Sequence, residues 1–540
     1  IAATRRLLCD SSDYLWVLYK LDHQIEHVLV DEAQDTSPAQ WDIVDAITDE
    51  FFAGEAAHTA GTRTAFVVGD EKQSIFSFQN AYPEGFFRMG QRLGQKTDLH
   101  KIALIENFRS SPLVLALVDQ VFADPALARS ISRDTGPIRH IASHMDMPGK
   151  IHLWPLQPRA EDLPSALQHY HLAQKIAQHV DTLLQRPDLR PGDVMILVHR
   201  RQPMAPKLMK AFRDMGIPIN GPDRTILGEH LAVQDCLSMI QYALNPQDNY
   251  NTACLLKSPF IGMDDDALLA LRYSDIKQSL HANLCTPEYT AIKTYLDTMA
   301  QTARTQSVPG FIHAFLDRPC PYDPVSGRQA LIRHLGYDTA DILEHFIDAA
   351  YGFADDEPGQ LQQFHTYLSQ QSYAIKKDQS DKDPSYVQLS TVHSSKGLEA
   401  KIVILADATS RPLGYRAGDN VVWLDDPASG FVWPIDNQVE VPFVESLLEH
   451  ARKKNFDEYY RLLYVALTRP KQELIICGCE SGRAATTQYP SWYEVLQPAV
   501  EKLAATQNYT VTRDPNGICL SLGEVETAAE KPETGSVASP

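Results

Sequence analysis

Five short runs combine residue types that can handle a phosphate. The first is Leu29-Val30-Asp31-Glu32-Ala33-Gln34-Asp35. An apolar strand would deliver two adjacent carboxylates at its C-terminal end, where open α/β sheets bind ligands. One carboxylate of such a pair can hold Mg²⁺, directly or through water. The other can orient and deprotonate the water that attacks a γ-phosphate. The second run, Val67 to Gln79, again ends an apolar stretch in Gly69-Asp70. The Gln73 amide can sense a terminal phosphate by hydrogen bonding, and Phe76 and Phe78 are either stacking faces for bases or core side chains. The third, Glu106-Asn107-Phe108-Arg109-Ser110-Ser111, precedes a helix expected from Pro112. Taken alone, Arg109 there is a surface residue. The fourth, Thr391 to Glu399 (TVHSSKGLE), is small, polar and basic between two apolar runs. It can hold phosphates or sugars through backbone N–H groups, or be a plain connection. The fifth, Arg461 to Pro470, reads as an amphipathic helix ending in Arg469 and stopped by Pro470. An arginine fixed there meets developing phosphate charge, or merely complements the helix dipole.

The elements that must carry these groups are legible as apolar runs. Glu26 to Val30 and Thr64 to Val68 predict strands, each followed by a segment that can be helical, which is the rhythm of a parallel sheet with crossover helices. Asp124 to Pro137 is polar and predicts an irregular hinge. Ile151 to Leu156 and Asp193 to Val198 predict strands flanking a helix over about Ser165 to Gln185. From about Leu227 to Tyr373 the strand signal vanishes and helical periodicity takes over. It returns at Val387 to Val392, Lys401 to Leu405 and Glu473 to Cys477. The simplest account is an α/β domain interrupted by a mostly helical insertion.

The 540 residues suit about three or four domains. A chain that is 44% hydrophobic and 22% charged is ordinary globular material, not disordered. It has no apolar run of about 18 residues, so no membrane partner or span is expected. With 49 Lys+Arg against 69 Asp+Glu, the net charge of −20 argues against a coat of non-specific nucleic-acid contacts but leaves room for a local basic groove. Eight sparse cysteines without a C-x-x-C pair argue against a zinc or disulfide framework and suit a reducing cytoplasm. Cys477 and Cys479 are expected on one face of a buried strand. No signal peptide is read at Ile1, and Thr527 to Pro540 is expected to be a flexible tail.

The five blocks LVDEAQD, VVGDEKQSIFSF, ENFRSS, STVHSSKGLE and RLLYVALTR, in that order, make the chain resemble the superfamily 1 UvrD/Rep-type DNA helicases. Softer text such as WVLYKLDHQIEHVLVDEAQDTSPAQWDIV is most similar to the AddA group, the helicase–nuclease subunits of double-strand-break repair complexes. The resemblance implies ATP and Mg²⁺ as cofactors. It implies single-stranded or duplex-end DNA as partner, an AddB-like subunit in a heterodimer, and a bacterial, cytoplasmic, nucleoid-associated location. It implies an α/β fold of two RecA-like parallel-sheet motor domains, the first incomplete, with a mostly helical 2B insertion in the second. Residues 1–125 would be the distal part of the first motor domain and 126–147 a linker. Residues 148–226 and 386–480 would form the second motor domain, 227–385 the insertion, and 481–540 an extension and tail.

Roles carry over by position. Asp31 would hold Mg²⁺ and Glu32 would be the general base. Gln73, Arg109 and Arg469 would face the γ-phosphate, Arg469 as an arginine finger. Phe108 would stack on adenine, Glu399 would bind ribose, and Gly397 would lie in the nucleotide-binding loop. Phe76, Phe78, His393 and Thr391 would lie along single-stranded DNA. The family usually has Arg-Gly-Ala after the second aromatic, where this chain has Gln79-Asn80-Ala81, which puts a DNA contact at Gln79 in doubt.

A G-x-x-x-x-G-K-[ST] phosphate loop, expected upstream of Asp31, is absent. The lookalike Gly90 to Thr97 lacks the glycine before Lys96 and falls between the second and third blocks. Nothing after Gly478 resembles a nuclease. The chain therefore reads as a central fragment whose own ATPase is negligible. Two rivals remain. One is a scaffold subunit with a dead motor, against which stands the full set of phosphate-facing groups. The other is a general UvrD/Rep repair helicase without a nuclease.

Overall fold

The computed structural model describes residues 1–10, 14–22, 25–53, 63–76, 81, 83–96, 99–133, 136–159, 165–221, 224–336, 339–356, 361–370, 374–376, 384–412, 421–424, 430–433, 442–480, 489–506 and 508–523. Phe78, Gln79, Asn80 and the tail from Thr527 lie outside them. The chain divides into two compact units, residues 1–222 with 382–540, and residues 223–381.

In the first unit, β1 (His27–Val30) and β2 (Thr64–Val67) pair in parallel, Leu29 opposite Phe66 and Val30 opposite Val67. A parallel pair needs a crossover, and α1 (Pro38–Ala53) supplies it. On one face, Val30 and Val67 pack with Ala33, Trp41 of α1, and Met89 and Leu93 of α2 (Pro83–Lys96). The other face is open. Leu29 is 74% and Phe66 55% exposed, because the period of two sends alternate side chains away from the helices that cover the first face.

Next come α3 (Pro112–Val121) and α4 (Pro125–Ile131). Each has proline at its start and a side-chain cap, Ser111 and Asp124 respectively. The expected hinge from Asp124 to Pro137 is thus corrected, because it begins with two turns of helix. The polar composition hides this, although Asp124 caps the helix and Pro125 opens it.

A large sheet follows. Its parallel strands are β3 (Gly149–Leu153), β4 (Val194–Val198), β5 (Val387–Thr391), β6 (Ala400–Leu405) and β7 (Pro470–Ile476), in the order β3-β7-β6-β4-β5. Ile219–Asn220 adds a short parallel partner beyond β5. Every residue of β4 is buried, as a central parallel strand requires. Val194, Ile196 and Val198 face α5 (Ser165–Leu183) and α6 (Met204–Asp214), while Met195 and Leu197 face the opposite core with α3, α7 (Pro442–Leu467) and α8 (Trp492–Ala504). Cys477 and Cys479 share the first of these cores, just beyond the end of β7.

Two further expectations change here. The last turns of α7 are not amphipathic: Tyr459, Tyr460 and Leu462 to Leu467 are all buried, because the helix runs through the core. The helix ends at Leu467, and Pro470 opens β7 rather than only stopping α7. The end of the described C-terminal extension joins the sheet. A hairpin of β8 (Thr510–Asp514) and β9 (Gly517–Leu522) lays β9 antiparallel on β3. Gly517, at φ +122°, allows this close approach, since a Cβ there would strike the Leu153 carbonyl.

The second unit is helical around its own core. Val233, Leu237 and Ile240 of Leu231–Leu244 pack with Phe311 and Phe315 of Val308–Leu316, Phe346 of Thr339–Asp356 and Phe364 of Leu361–Gln370. Its two ends meet as an antiparallel ribbon, Arg224–Ile226 on Ala374–Lys376.

Candidate functional site

At the end of β1 the backbone turns sharply. Glu32 has φ +50°, a left-handed conformation that costs a non-glycine residue about 1–3 kcal/mol and gathers at functional sites. Its N–H donates to Asp31 Oδ1 at 2.8 Å. The turn is locked from below. The Ala33 N–H donates to the Val68 carbonyl at 2.9 Å. The buried Gln34 side chain accepts from the Asp70 N–H at 2.8 Å and donates to Glu32 Oε2. A Cβ on Gly69 would lie 2.7 Å from Gln34 Oε1, so only glycine lets β2 pass this close. Gln34 is therefore the crosspiece between the ends of the two strands, a role its sequence position did not reveal.

Gln73 sits on a 3₁₀ turn, Glu71–Gln73, capped by Asp70. Its amide donates to Asp70 Oδ2 at 2.9 Å, and its Oε1 accepts from Arg469 Nη2 at 3.5 Å. This joins groups 396 positions apart. Arg469 is 1% exposed, and its guanidinium also donates to the carbonyls of Val465 (2.9 Å) and Leu398 (3.1 Å) and to Thr468 Oγ1 (3.0 Å). Burial, and then repulsion from Arg109, pull its pKa down to about 10. Arg109 reaches the same corner. Its Nη1 donates to the Thr468 carbonyl at 3.3 Å and its Nε to Glu399 Oε2 at 2.6 Å. Glu399 is held on its other oxygen by Lys471 at 2.7 Å, and these two bonds, Lys471 first, keep its pKa low. The ENFRSS segment is itself stitched to β7, Ser110 Oγ donating to the Pro470 carbonyl at 2.7 Å and the Ser111 N–H to that of Lys471 at 2.8 Å.

Lys396 completes the junction. Its ammonium lies 3.0 Å from Glu32 Oε2, bonds Asp35 Oδ2, donates to the Gln73 carbonyl at 3.1 Å and stands 5.3 Å from the Phe76 ring centre. Burial raises the Asp35 pKa despite this lysine, and Asp35 Oδ1 is buried without a hydrogen-bond partner among the described residues. Lys396, Asp35, Gln34 and Lys471 carried no assigned role in the sequence. The signal for Lys396 was its place as the one cation in the run from Thr391 to Glu399.

The structure thus brings Glu32, Gln73, Arg109, Arg469 and Glu399 into one connected network. Asp31 is exposed beside it. Phe108 is 67% exposed, with His144 edge-on at 6.4 Å. Gly397, at φ +79°, has open space where a Cβ would stand, so the requirement there is conformational. The remaining positions line its edge or lie nearby. Thr391 Oγ1 bonds Ser394 Oγ at 3.1 Å at the end of β5, and burial lowers the pKa of His393. Phe76 packs partly into the large core.

The chemistry of this donor set suits a polyphosphate: two guanidinium groups and an amide from distant segments face a turn bearing carboxylates. Among the described residues no three His, Cys, Asp or Glu side chains cluster to hold a metal. The Asp31–Glu32 pair fits an ion that takes only one or two protein carboxylates and completes its shell with phosphate and water, as Mg²⁺ does.

Comparison with known proteins agrees with the motif order. The model of the UvrD/REP helicase N-terminal domain matches residues 4–93, and that of the UvrD-like helicase C-terminal domain matches residues 288–481. Three of the similar proteins are named as the A subunits of ATP-dependent helicase/nucleases. That of Limosilactobacillus reuteri is 24% identical over 91% of this chain and 38% of its own length. That of Oceanobacillus iheyensis is 26% identical over 86% and 40%. That of Ligilactobacillus salivarius is 25% identical over 96% and 44%. The chain spans about two fifths of the length of these relatives. On its two matched domains and these relatives, the chain belongs to the UvrD-like helicases.

Proposed function

We propose that this chain carries most of the ATP-hydrolysing cleft of a 3′–5′ DNA helicase of double-strand-break repair. It is related to the helicase/nuclease A subunits and works with an AddB-like partner on single-stranded or duplex-end DNA. The observation that carries the reading is the convergence of Arg109, Arg469 and Gln73. Two arginines that repel each other at a buried corner are suited to an anion between them. In this reading residues 1–125 are the distal part of one RecA-like motor domain and residues 148–226 with 386–480 the other. Residues 126–147 link them, 227–385 are the 2B insertion, and 481–540 extend the second. The bare face of β1 and β2 supports an incomplete first domain, since parallel sheets are normally covered on both faces.

Each residue then has a task. Glu32 takes the proton of the attacking water. Gln73, Arg109 and Arg469 bind the γ-phosphate, and the two arginines meet the charge that grows on it. Phe108 offers a face to adenine. Glu399, at the mouth of the nucleotide-binding loop with Gly397, binds the ribose. Asp31 would hold Mg²⁺, which when bound supplies charge neutralisation at the phosphates. Thr391, His393, Phe76 and Phe78 lie along the DNA strand. The test is single-strand-stimulated ATPase activity in the complete protein. Glu32→Gln and Arg469→Ala are each expected to cut turnover about a thousandfold. Wild-type turnover in both variants would overturn the site.

A further inference from the structure

The base assigned to hydrolysis is an exposed side chain on a strained turn, and something must fix its direction. Gln34 Nε2 and Lys396 Nζ both bond its carboxylate. Among the described residues both of these donors sit on Oε2, so Oε1 is the oxygen left to take a proton. Gln34 belongs to the same turn as Glu32. Lys396 does not, for it arrives 364 positions later, from the loop after β5. Its side chain is 8% exposed, and the same ammonium holds Asp35 Oδ2 and the carbonyl of Gln73. A buried lysine with this many acceptors is a junction, and its acceptors all lie on one side of the cleft while its own backbone lies on the other.

We propose that Lys396 is a positioning residue for hydrolysis. It holds Glu32 Oε2 and so presents Oε1 to water, and because it comes from the opposite sheet it sets the base only while the two halves of the cleft are together. The inference rests on the helicase reading and deepens it, tying hydrolysis to closure through one side chain. Lys396 itself touches neither phosphate nor water in this scheme.

The test uses Lys396→Met and Lys396→Arg in the complete protein. The methionine variant is expected to lower kcat about tenfold, a fraction of what a general base contributes, while the affinity for a fluorescent ATP analogue stays within about twofold. The arginine variant, which keeps the charge, is expected to recover part of the loss. Glu32→Gln combined with Lys396→Met is expected to be no slower than Glu32→Gln alone, because the lysine acts through that carboxylate. Hydrogen exchange is expected to quicken at the amides of Ala33 and Asp35 in the methionine variant. Wild-type kcat in Lys396→Met, a matching loss of nucleotide affinity, or a double variant much slower than Glu32→Gln would each overturn the proposal. If the methionine variant does not fold, Lys396→Gln carries the same comparison, and failure of both to fold would make the lysine merely structural. A wild-type protein without ATPase activity, or an active Glu32→Gln, would instead defeat the helicase reading.

Discussion

Arg469 has four hydrogen-bond acceptors around one buried guanidinium, and only a planar fork can serve them together. Lysine would keep charge but lose most of that geometry, so charge alone does not explain the residue. Phe108 is the opposite case. It is exposed, and its one described ring neighbour is the edge of His144. A large apolar face left in water fits a stacking partner better than a core. Phe108→Ala is expected to raise the KM for ATP about tenfold with kcat nearly unchanged, since base stacking contributes roughly 1–3 kcal/mol. Steady-state ATPase titrations check this, and an unchanged KM would remove Phe108 from the nucleotide site.

The ends of elements do most of the positioning. Glu32 follows β1, Gln73 follows β2, Lys396 and Glu399 follow β5, and Arg469 stands between α7 and β7. Asp407, just beyond β6, shows what such a place can cost. It accepts from the His199 N–H at 2.9 Å, yet its Oδ2 is buried without a hydrogen-bond partner among the described residues. Burial lifts its pKa to about 7, above its ordinary value of about 4. A raised carboxyl pKa favours the fold while the group is protonated, and this contribution is lost as pH climbs from about 4 through about 7. Asp407→Asn is therefore expected to melt a few degrees above the wild type at pH 8, with the gap closing toward pH 4. Thermal scans at both pH values check this, and an equal gap at both would refute the buried-charge account.

At the scale of the whole molecule, two compact units organise the chain. The sheet unit draws on segments from both ends of the sequence, and the helical unit is continuous. The network from Glu32 to Arg109 lies wholly within the sheet unit. It lacks the lysine-bearing loop that cradles phosphates, for the sequence holds no G-x-x-x-x-G-K-[ST]. The isolated chain is accordingly expected to hydrolyse ATP negligibly, with or without single-stranded DNA. A phosphate-release assay on the purified chain checks this, and robust turnover would show that the two arginines and Glu32 suffice.

The order of five motifs carried the resemblance that suggested two nucleotide-handling sheets and pointed to Glu32, Gln73, Arg109, Glu399 and Arg469, since each motif is a run of neighbouring residues. Local patterns could not reveal that the last turns of α7 run through the core, that Asp124 begins a helix, or that a hairpin near the C-terminus edges the main sheet. Each of those depends on a neighbour far away in the chain. Lys396 is the clearest instance. In sequence it is one cation in a polar loop, and only folding sets its ammonium against carboxylates more than 360 positions upstream, since ion pairs are decided by distance in space.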